Sequence, residues 1–291
     1  MTDDEFLAAR FSEHRGHLRA VAYRMLGSVS EADDAVQEAW LRLHRTDASD
    51  IENLGGWLTT TVARVALNLL RARDTRREQP WDTHVPDPLV SADPAEGALL
   101  SDSVGLALLV VLDTLPPAER LAFVLHDMFA VPFDEIAPLV GRSAVATRQL
   151  ASRGRRRVQG AATPDRDLAR QRRVVDAFLA AARGGDFDAL VAVLDPDVVL
   201  RSDAGAGAGP GGGSRLVRGA DEVAGRALLF AGVAESAEPV VVNGAAGIVA
   251  ARDGHAYSVM SFTVVGGLIV EINVLTDPDR LRDLPLPLGG A

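Results

Sequence analysis

Apolar residues recur every three to four positions over the first half of the chain, and this spacing predicts helices. Phe11, His14, Leu18, Val21, Ala22 and Met25 make one stripe. Ala32, Ala35, Val36, Ala39, Trp40 and Leu43 make a second, with Ser30 the expected N-cap. Leu58, Val62, Val65 and Leu69 are the expected inner face of a third helix, from about Gly56 to Arg77. These helices predict an all-α domain over residues 1–78. Residues 78–94 hold four prolines and no helical period, so a linker is expected over 79–98. Helices are expected again at 99–112, from Pro116-Pro117 to about Met128, at 133–140 and at 143–158, giving a second α domain over 99–162.

Beyond Thr163-Pro164 the period changes. Helices at 174–182 and 187–194 precede strand-like runs at 198–201, 239–243, 247–252, 256–265 and 268–275, with Gly266-Gly267 as a hairpin turn. Residues 165–291 therefore predict an α+β domain.

Composition narrows the function. Hydrophobic content of 47% supports packed cores and excludes wholesale disorder. No apolar run approaches the ~18 residues of a membrane span, and the acidic start does not resemble a secretory signal. Without cysteine there is neither a disulfide nor a thiolate metal site, and no metal or cofactor is expected. A cytoplasmic protein is expected. The net charge of −10 argues against nucleic-acid binding until its distribution is considered. From 136 to 164 there are six arginines and no acid, and binding depends on the local field. All 30 basic residues are arginine, so arginine number says less here than the absence of acids.

That basic stretch contains Phe133-Asp-Glu-Ile-Ala-Pro-Leu-Val-Gly-Arg-Ser-Ala-Val-Ala-Thr-Arg-Gln-Leu, a short helix, a turn at Gly141 and a second helix capped by Ser143. Ile136, Ala137, Val145 and Leu150 are expected to bury the pair. The second helix would enter a major groove, Thr147 and Arg148 meeting base edges and Arg142, Arg153, Arg155, Arg156 and Arg157 the phosphates. A helical hairpin with a solvated basic face is the bland alternative. The third helix carries a polar stripe, Thr60, Arg64, Asn68 and Arg71, then Arg73, Arg76 and Arg77, suited to single-stranded DNA. Asp33, Asp34, Gln37 and Glu38 give the second helix an acidic face that suits a protein partner.

In this order the motifs resemble a family. Asp33-Asp-Ala-Val-Gln-Glu-Ala-Trp-Leu-Arg-Leu is similar to region 2.2 of sigma-70-type factors, and Gly56-Trp-Leu-Thr-Thr-Thr-Val-Ala-Arg to the start of their promoter-melting helix. Leu115-Pro-Pro-Ala-Glu-Arg with the helix-turn-helix resembles region 4. The two-region minimum, over about 11–158, resembles extracytoplasmic-function sigma factors. The resemblance implies two all-α domains and these roles. Asp33, Asp34, Gln37, Glu38 and Leu41 would bind the β′ clamp helices of core RNA polymerase, whose β flap is a further implied partner. Asn53, Leu54, Trp57, Thr60, Thr61, Arg64, Asn68 and Arg71 would meet the melted −10 element of promoter DNA. Arg142, Ser143, Thr147, Arg148, Arg153, Arg155 and Arg156 would meet the −35 element. Asn68 departs from the family pattern, where many members have aspartate.

The region from Asp165 onward resembles SnoaL-like domains, curved sheets wrapped by helices into a cone, and with it the chain resembles the sub-group often called sigma-J-like. Asp203 with the glycine-rich 205–213 is similar to that sub-group's Asp-Gly-Gly-Gly segment. Asp277-Pro278-Asp279-Arg280-Leu is similar to its Asn-Pro-Asp-Lys-Leu segment. Pro80, Trp81, Pro86 and Pro88 loosely match its linker motif. These residues imply regulation in cis, the domain holding the two DNA-binding domains in a set spacing through the linker. Two alternatives stay open: a ligand-responsive helix-turn-helix regulator, and a SnoaL-type enzyme using Asp203 or His255 as base. A small-molecule ligand in apolar surroundings of the C-terminal domain is also left open.

Overall fold

The computed structural model describes residues 3–46, 51–76, 83–92, 105–160, 162, 164–205, 213–229 and 231–287. Two compact units result, Met1–Glu78 with Val111–Gly160, and Gln79–Val110 with Ala161–Ala291. Most of both expected α domains thus falls in one unit, whereas the expected linker and the first residues of the second α domain, 99–110, fall with the C-terminal domain.

In the first unit, α1 (Asp3–Leu26), α2 (Val29–Arg45) and α3 (Leu54–Arg76) pack around Leu18, Met25, Val36, Leu43, Leu58 and Leu67. Ser28, not Ser30, occupies the N-cap of α2. Helix α3 starts before Gly56 because the Asn53 Oδ1 accepts the Gly56 amide at 3.0 Å. Its buried face is Val62, Ala63, Ala66, Leu67 and Leu70, with Val65 and Leu69 half-buried. The inner face is therefore rotated from the expected stripe, because alanines at 63 and 66 admit close neighbours.

Helix α4 (Leu106–Asp113) begins within the expected 99–112, of which 99–104 lie outside the described residues. Helix α5 (Pro117–Phe123) opens at the double proline and ends in a π-turn, Val124–Met128. Helices α6 (Phe133–Val140) and α7 (Ala144–Val158) follow, joined at Gly141 with φ +66°. Only glycine enters that left-handed turn without strain. The two halves of this unit are packed on one another. Arg120 is 1% exposed, pairs with Asp113 and donates to the Arg24 carbonyl at 3.0 and 3.2 Å. The Phe129 ring stands edge-on to His17 at 5.1 Å, with the Arg24 guanidinium 4.8 Å from its centre.

The second unit is built on a seven-stranded sheet in the order β1-β4-β5-β6-β7-β2-β3. Strand β1 (Val90–Ser91) comes from the expected linker. Helices α8 (Leu168–Gly184) and α9 (Phe187–Val193) precede β2 (Leu194–Asp203) and β3 (Arg215–Arg218). Helices α10 (Ala220–Leu229) and α11 (Ala231–Glu235) lead to β4 (Ala237–Val242), β5 (Ala245–Arg252), β6 (His255–Val265) and β7 (Leu268–Leu275), and α12 (Pro278–Asp283) follows. Strands β2 and β7 are parallel and the other pairs antiparallel. Register shifts at 250/251 and 263/264 interrupt the ladders, as bulges do where a sheet bends. Phe178, Leu179, Val223, Ile248, Phe262 and Ile272 are among the residues of the core between helices and sheet, Phe178 and Phe262 meeting edge to face at 5.6 Å. This is the helix-wrapped curved sheet expected of a SnoaL-like cone. The turn at Gly266-Gly267 forms as expected; β1 and β3 were not predicted, being too short or too polar to show a period.

Candidate functional site

Helix α2 presents Asp34, Gln37 and Leu41 to solvent on one face, at the i, i+3, i+7 spacing of a single stripe. Asp33 and Glu38 flank it but are already engaged. The Arg19 Nε donates to Asp33 at 2.8 Å, and the Arg42 Nε to Glu38 at 2.8 Å.

Where the C-terminal end of α2 meets α3, a cavity of about 400 Å³ is lined by Arg42, Arg45, Thr46, Trp57, Thr60, Thr61 and Arg64. Trp57, Thr60, Thr61 and Arg64 were expected at one site and are brought together. Thr60 and Thr61 donate their hydroxyl protons to the Trp57 carbonyl at 3.0 and 2.8 Å, so toward a ligand their oxygens act as acceptors. Arg42 and Arg45 escaped sequence reasoning: they lie on α2, and only packing carries them to α3. Asn68 and Arg71 are exposed further along α3. Asn53 is exposed, its Oδ1 used as the helix cap. Leu54 is a correction: it is 4% exposed and packs into the core, so its side chain is withheld from a ligand. Arg73 likewise is structural, donating to the Leu26 carbonyl at 3.0 Å and pairing with Glu31.

Helix α7 turns a different face outward than expected. Thr147, Ala151 and Gly154 are buried, whereas Val145 is 63% exposed. Thr147 is 0% exposed and its hydroxyl donates to the Ser143 carbonyl at 3.0 Å, which removes it from base contact. The cause is close packing on α5: a Cβ on Gly154 would lie 3.0 Å from the Phe123 Cβ and 3.3 Å from the Glu119 carbonyl. Small residues at 147, 151 and 154 therefore set the register. Ser143 caps the helix, accepting the Ala146 amide at 3.3 Å.

The arginines of α7 divide in two. Arg153 and Arg157 both donate to Glu119, at 2.7 and 2.9 Å, and Arg155 donates to Asp127. For Arg153, Arg155 and Arg157 the phosphate role is corrected: neighbouring acids neutralise them and hold α7 against α5 and its π-turn. Arg142, Arg148 and Arg156 are exposed and form no ion pair among the described residues. Arg148 lies 5.3 Å above the Phe133 ring, whose other neighbour is the stacked His126 ring at 3.7 Å. The outward face of α7 is thus Val145, Arg148, Gln149, Ser152 and Arg156, headed by Arg142.

In the second unit the expected linker is an integral part of the fold. Val85, Pro86, Asp87, Pro88, Val90 and Ser91 are buried. Val90 and Ser91 pair with Val242 and Val241, covering an edge strand that would otherwise expose its hydrogen-bonding groups. Asn243 donates its amide to the Leu89 carbonyl at 2.8 Å and accepts the Leu89 amide on Oδ1 at 3.0 Å. Asp203, 1% exposed, accepts the Val85 amide at 3.1 Å, Arg280 Nη1 at 2.9 Å, the Gly205 amide at 3.1 Å and the Ser214 hydroxyl at 3.1 Å. The His84 Nδ1 lies 3.2 Å from its Oδ2. Arg280 also donates to Asp87 at 2.7 Å and to the Val85 carbonyl at 2.6 Å.

Burial alone would raise the Asp203 pKa, but His84, the Val85 amide, Arg280 and the Gly205 amide together hold it well below the usual carboxylate range. Asp277 caps α12 through the Asp279 and Arg280 amides at 2.9 and 3.3 Å, and Pro278 fills the first turn. Gly205 has φ +71°, and a Cβ there would lie 2.1 Å from an Asp277 oxygen, so glycine is required. Asp279 points outward and, among the described residues, pairs with Arg282 at 3.1 Å. Trp81 and residues 206–212 lie outside the described residues. Sequence reasoning missed His84 and Asp87, which stand over a hundred residues from Asp203 and show no local period.

A second cavity, of about 380 Å³, lies inside the cone between α8, α10 and the sheet. Neither residue weighed as a base belongs to its lining. Asp203 is turned to the linker, and His255 is exposed beside the Asp253 carbonyl at 2.8 Å. Among the described residues no group of three or more His, Asp or Glu stands where it could hold a metal ion, and no helix is long and apolar enough to cross a membrane.

Comparison with known proteins agrees with this geometry. Residues 10–76 match the Sigma-70 region 2 family and residues 105–158 the Sigma-70, region 4 family. The chain is 37% identical to the probable ECF RNA polymerase sigma factor SigI of Mycobacterium tuberculosis, over 100% of both chains. It is 37% identical to the ECF RNA polymerase sigma factor SigJ of the same species, covering 96% of this chain and 94% of that one. The crystal structure of M. tuberculosis SigJ superposes with a TM-score of 0.76 at 35% identity, covering 96% of this chain and 99% of that one.

Proposed function

The chain belongs to the extracytoplasmic-function sigma factors of the sigma-70 family, and from that premise we propose how its surfaces divide the work. The Asp34, Gln37 and Leu41 face of α2 docks on the β′ clamp helices of core RNA polymerase in the cytoplasm, and the region-4 half serves the β flap. The cleft of Trp57, Thr60, Thr61, Arg64, Arg42 and Arg45 takes melted −10 DNA, with cations for phosphates and an indole for stacking. The outward face of α7 enters the −35 major groove, Arg148 and Gln149 at base edges and Arg142 and Arg156 on phosphates. The observation that carries this reading is the division of arginines: among the described residues those on the outward faces of both sites lack acidic partners, apart from Arg42, while those of α7 directed at α5 and its π-turn are paired. Domain limits of 1–78, 99–162 and 165–291, with 79–98 as linker, remain our functional division.

The first unit is closed, and the two promoter elements are far apart. Twenty-five base pairs at ~3.4 Å each separate positions −10 and −35 by roughly 85 Å of duplex, whereas a block of this size spans about 30–40 Å. Its halves must part to engage both elements, and the linker sets how far. Twenty extended residues reach at most ~70 Å; holding 83–92 in the sheet of the C-terminal domain shortens that reach. The C-terminal domain therefore restrains the sigma regions in cis.

Run-off transcription by core polymerase with the full chain tests both halves. Arg148→Ala should weaken promoter binding by about tenfold or more, while Thr147→Val, an inward change, should leave it within about twofold. Arg280→Ala should raise transcription by freeing the linker. Unchanged or reduced transcription and promoter occupancy in Arg280→Ala would count against restraint in cis.

A further inference from the structure

Helix α7 opens with a side chain that its packing leaves unexplained. The buried face of the helix runs through Thr147, Ala151 and Gly154, and Val145, nearly opposite Thr147 at 3.6 residues per turn, is 63% exposed. A β-branched residue is also a weaker helix former than alanine, because it loses side-chain freedom against the preceding turn. Neither the core nor the helix calls for valine here. Single exposed apolar residues are ordinary on a protein surface, so the neighbours of this one decide its meaning.

Arg148 and Gln149 follow Val145 at i+3 and i+4, where side chains on one helix face stand ~5–6 Å apart, and both are exposed. Arg142 is exposed just ahead of the Ser143 cap. Arg142 and Arg148 form no ion pair among the described residues, the Arg148 guanidinium resting 5.3 Å from the centre of the Phe133 ring. Between 136 and 164 the chain has no acid. A protein partner finds little to hold here. Among the described residues of 111–160 Val145 is the one exposed large apolar side chain, whereas protein docking surfaces are contiguous apolar patches on the order of hundreds of Å². Duplex DNA offers the arginines phosphates and base edges, and it offers the valine one particular group. In the major groove thymine alone presents a methyl group, and the other recognition atoms are hydrogen-bond donors and acceptors. A valine side chain has no polar atom, so against any of those it displaces water and returns no hydrogen bond. Against the methyl, both apolar surfaces leave water, which is favourable.

We propose that Val145 is a specificity-determining residue of −35 recognition, packing on the 5-methyl group of a thymine within about two base pairs of the guanine read by Arg148. This role rests on α7 being the −35 helix, and it adds a base preference that no hydrogen-bonding side chain supplies.

The test uses holoenzyme assembled from core RNA polymerase and the full-length chain, and a pool of promoter duplexes randomised across the −35 element. Selection should return a guanine with a thymine beside it or one base pair removed. On the selected duplex, replacing that thymine by deoxyuridine deletes the methyl group and keeps every hydrogen-bonding atom. Binding should weaken about fourfold, the worth of burying one methyl group. Val145→Ala should bind the thymine duplex about fourfold less tightly and should treat thymine and deoxyuridine alike within about 1.5-fold, since the two changes remove one contact. Val145→Ile, which keeps the apolar branch, should retain the thymine preference. A merely structural role for Val145 would lower binding to both duplexes together and leave their ratio unchanged. Absence of a thymine near the guanine, or a thymine-to-deoxyuridine ratio in Val145→Ala equal to that of the unaltered chain, overturns the proposal. So does an equal loss on both duplexes in Val145→Ala, the result expected if a protein surface covers this valine. The reading of α7 as the −35 helix fails by a different result, Arg148→Ala leaving the guanine preference intact, so the two failures are distinguishable.

Discussion

Arg280→Ala isolates the contact that joins the linker to the C-terminal domain. The arginine side chain is 23% exposed, while its partners Asp203 and Asp87 are 2% and 9% exposed. At an effective dielectric near 20, each ion pair is worth about 4 kcal/mol before desolvation. Removing one partner from a buried pair costs ~3–5 kcal/mol, because the other charge is left uncompensated. Here two carboxylates are left, but Asp203 keeps the Val85 and Gly205 amides and the Ser214 hydroxyl, so the lower end applies. A loss of ~3 kcal/mol is about a hundredfold in the docking equilibrium. Native-state hydrogen exchange reads this at the Val85 and Leu89 amides, which bond to Asp203 and Asn243. Their protection should drop about a hundredfold, with the β5 and β6 amides unchanged to show that the sheet is intact. Arg280→Lys should lose less, retaining the charge but not the fork that serves Asp87, Asp203 and the Val85 carbonyl together. Protection in Arg280→Ala within threefold of the unaltered chain would refute the reasoning.

Asp203 also makes stability depend on pH with a fixed sign. Its depressed pKa means that its contribution is complete above the unfolded carboxylate value, near ~4, and is lost as pH falls through the lower folded value. Urea unfolding of Asp203→Asn should therefore show lower stability at neutral pH and a shallower loss below about pH 4; an unchanged acid slope would exclude this role. Two glycines in helices should respond oppositely to alanine. Gly154→Ala presses a methyl against Phe123 and Glu119 and should destabilise by ~1–3 kcal/mol, lowering the melting temperature, whereas Gly16→Ala, with nothing within 4 Å, should stabilise by ~0.5–1 kcal/mol. Melting shifts of the same sign would contradict the packing assigned to α7.

Local pattern determined much of this protein. Stripes such as Leu18–Val21–Met25 and Ala35–Ala39–Leu43 are set by the 3.6-residue period, and the Gly141 turn with its Ser143 cap by backbone chemistry, so helices and their order were legible. The acid-free run around α7 located the helix-turn-helix, and Asp203 and Arg280 were singled out through a resemblance. What the sequence could not decide was which way each side chain finally turned. Thr147 and Val145 differ by two positions, and only the fit of Gly154 against Phe123 placed the first inside and the second outside. Arg153, Arg155 and Arg156 look alike in sequence; partners on α5 and its π-turn neutralise two and leave the third. Leu54 is taken into the core while Arg42 and Arg45, on another helix, complete the cleft. Residues 83–92 carry no period at all, since their order comes from pairing with Asp203, Val242 and Asn243 far along the chain. Periodicity reports a residue's own element, whereas burial, charge compensation and edge pairing depend on what that element packs against, and that was settled only by tertiary structure.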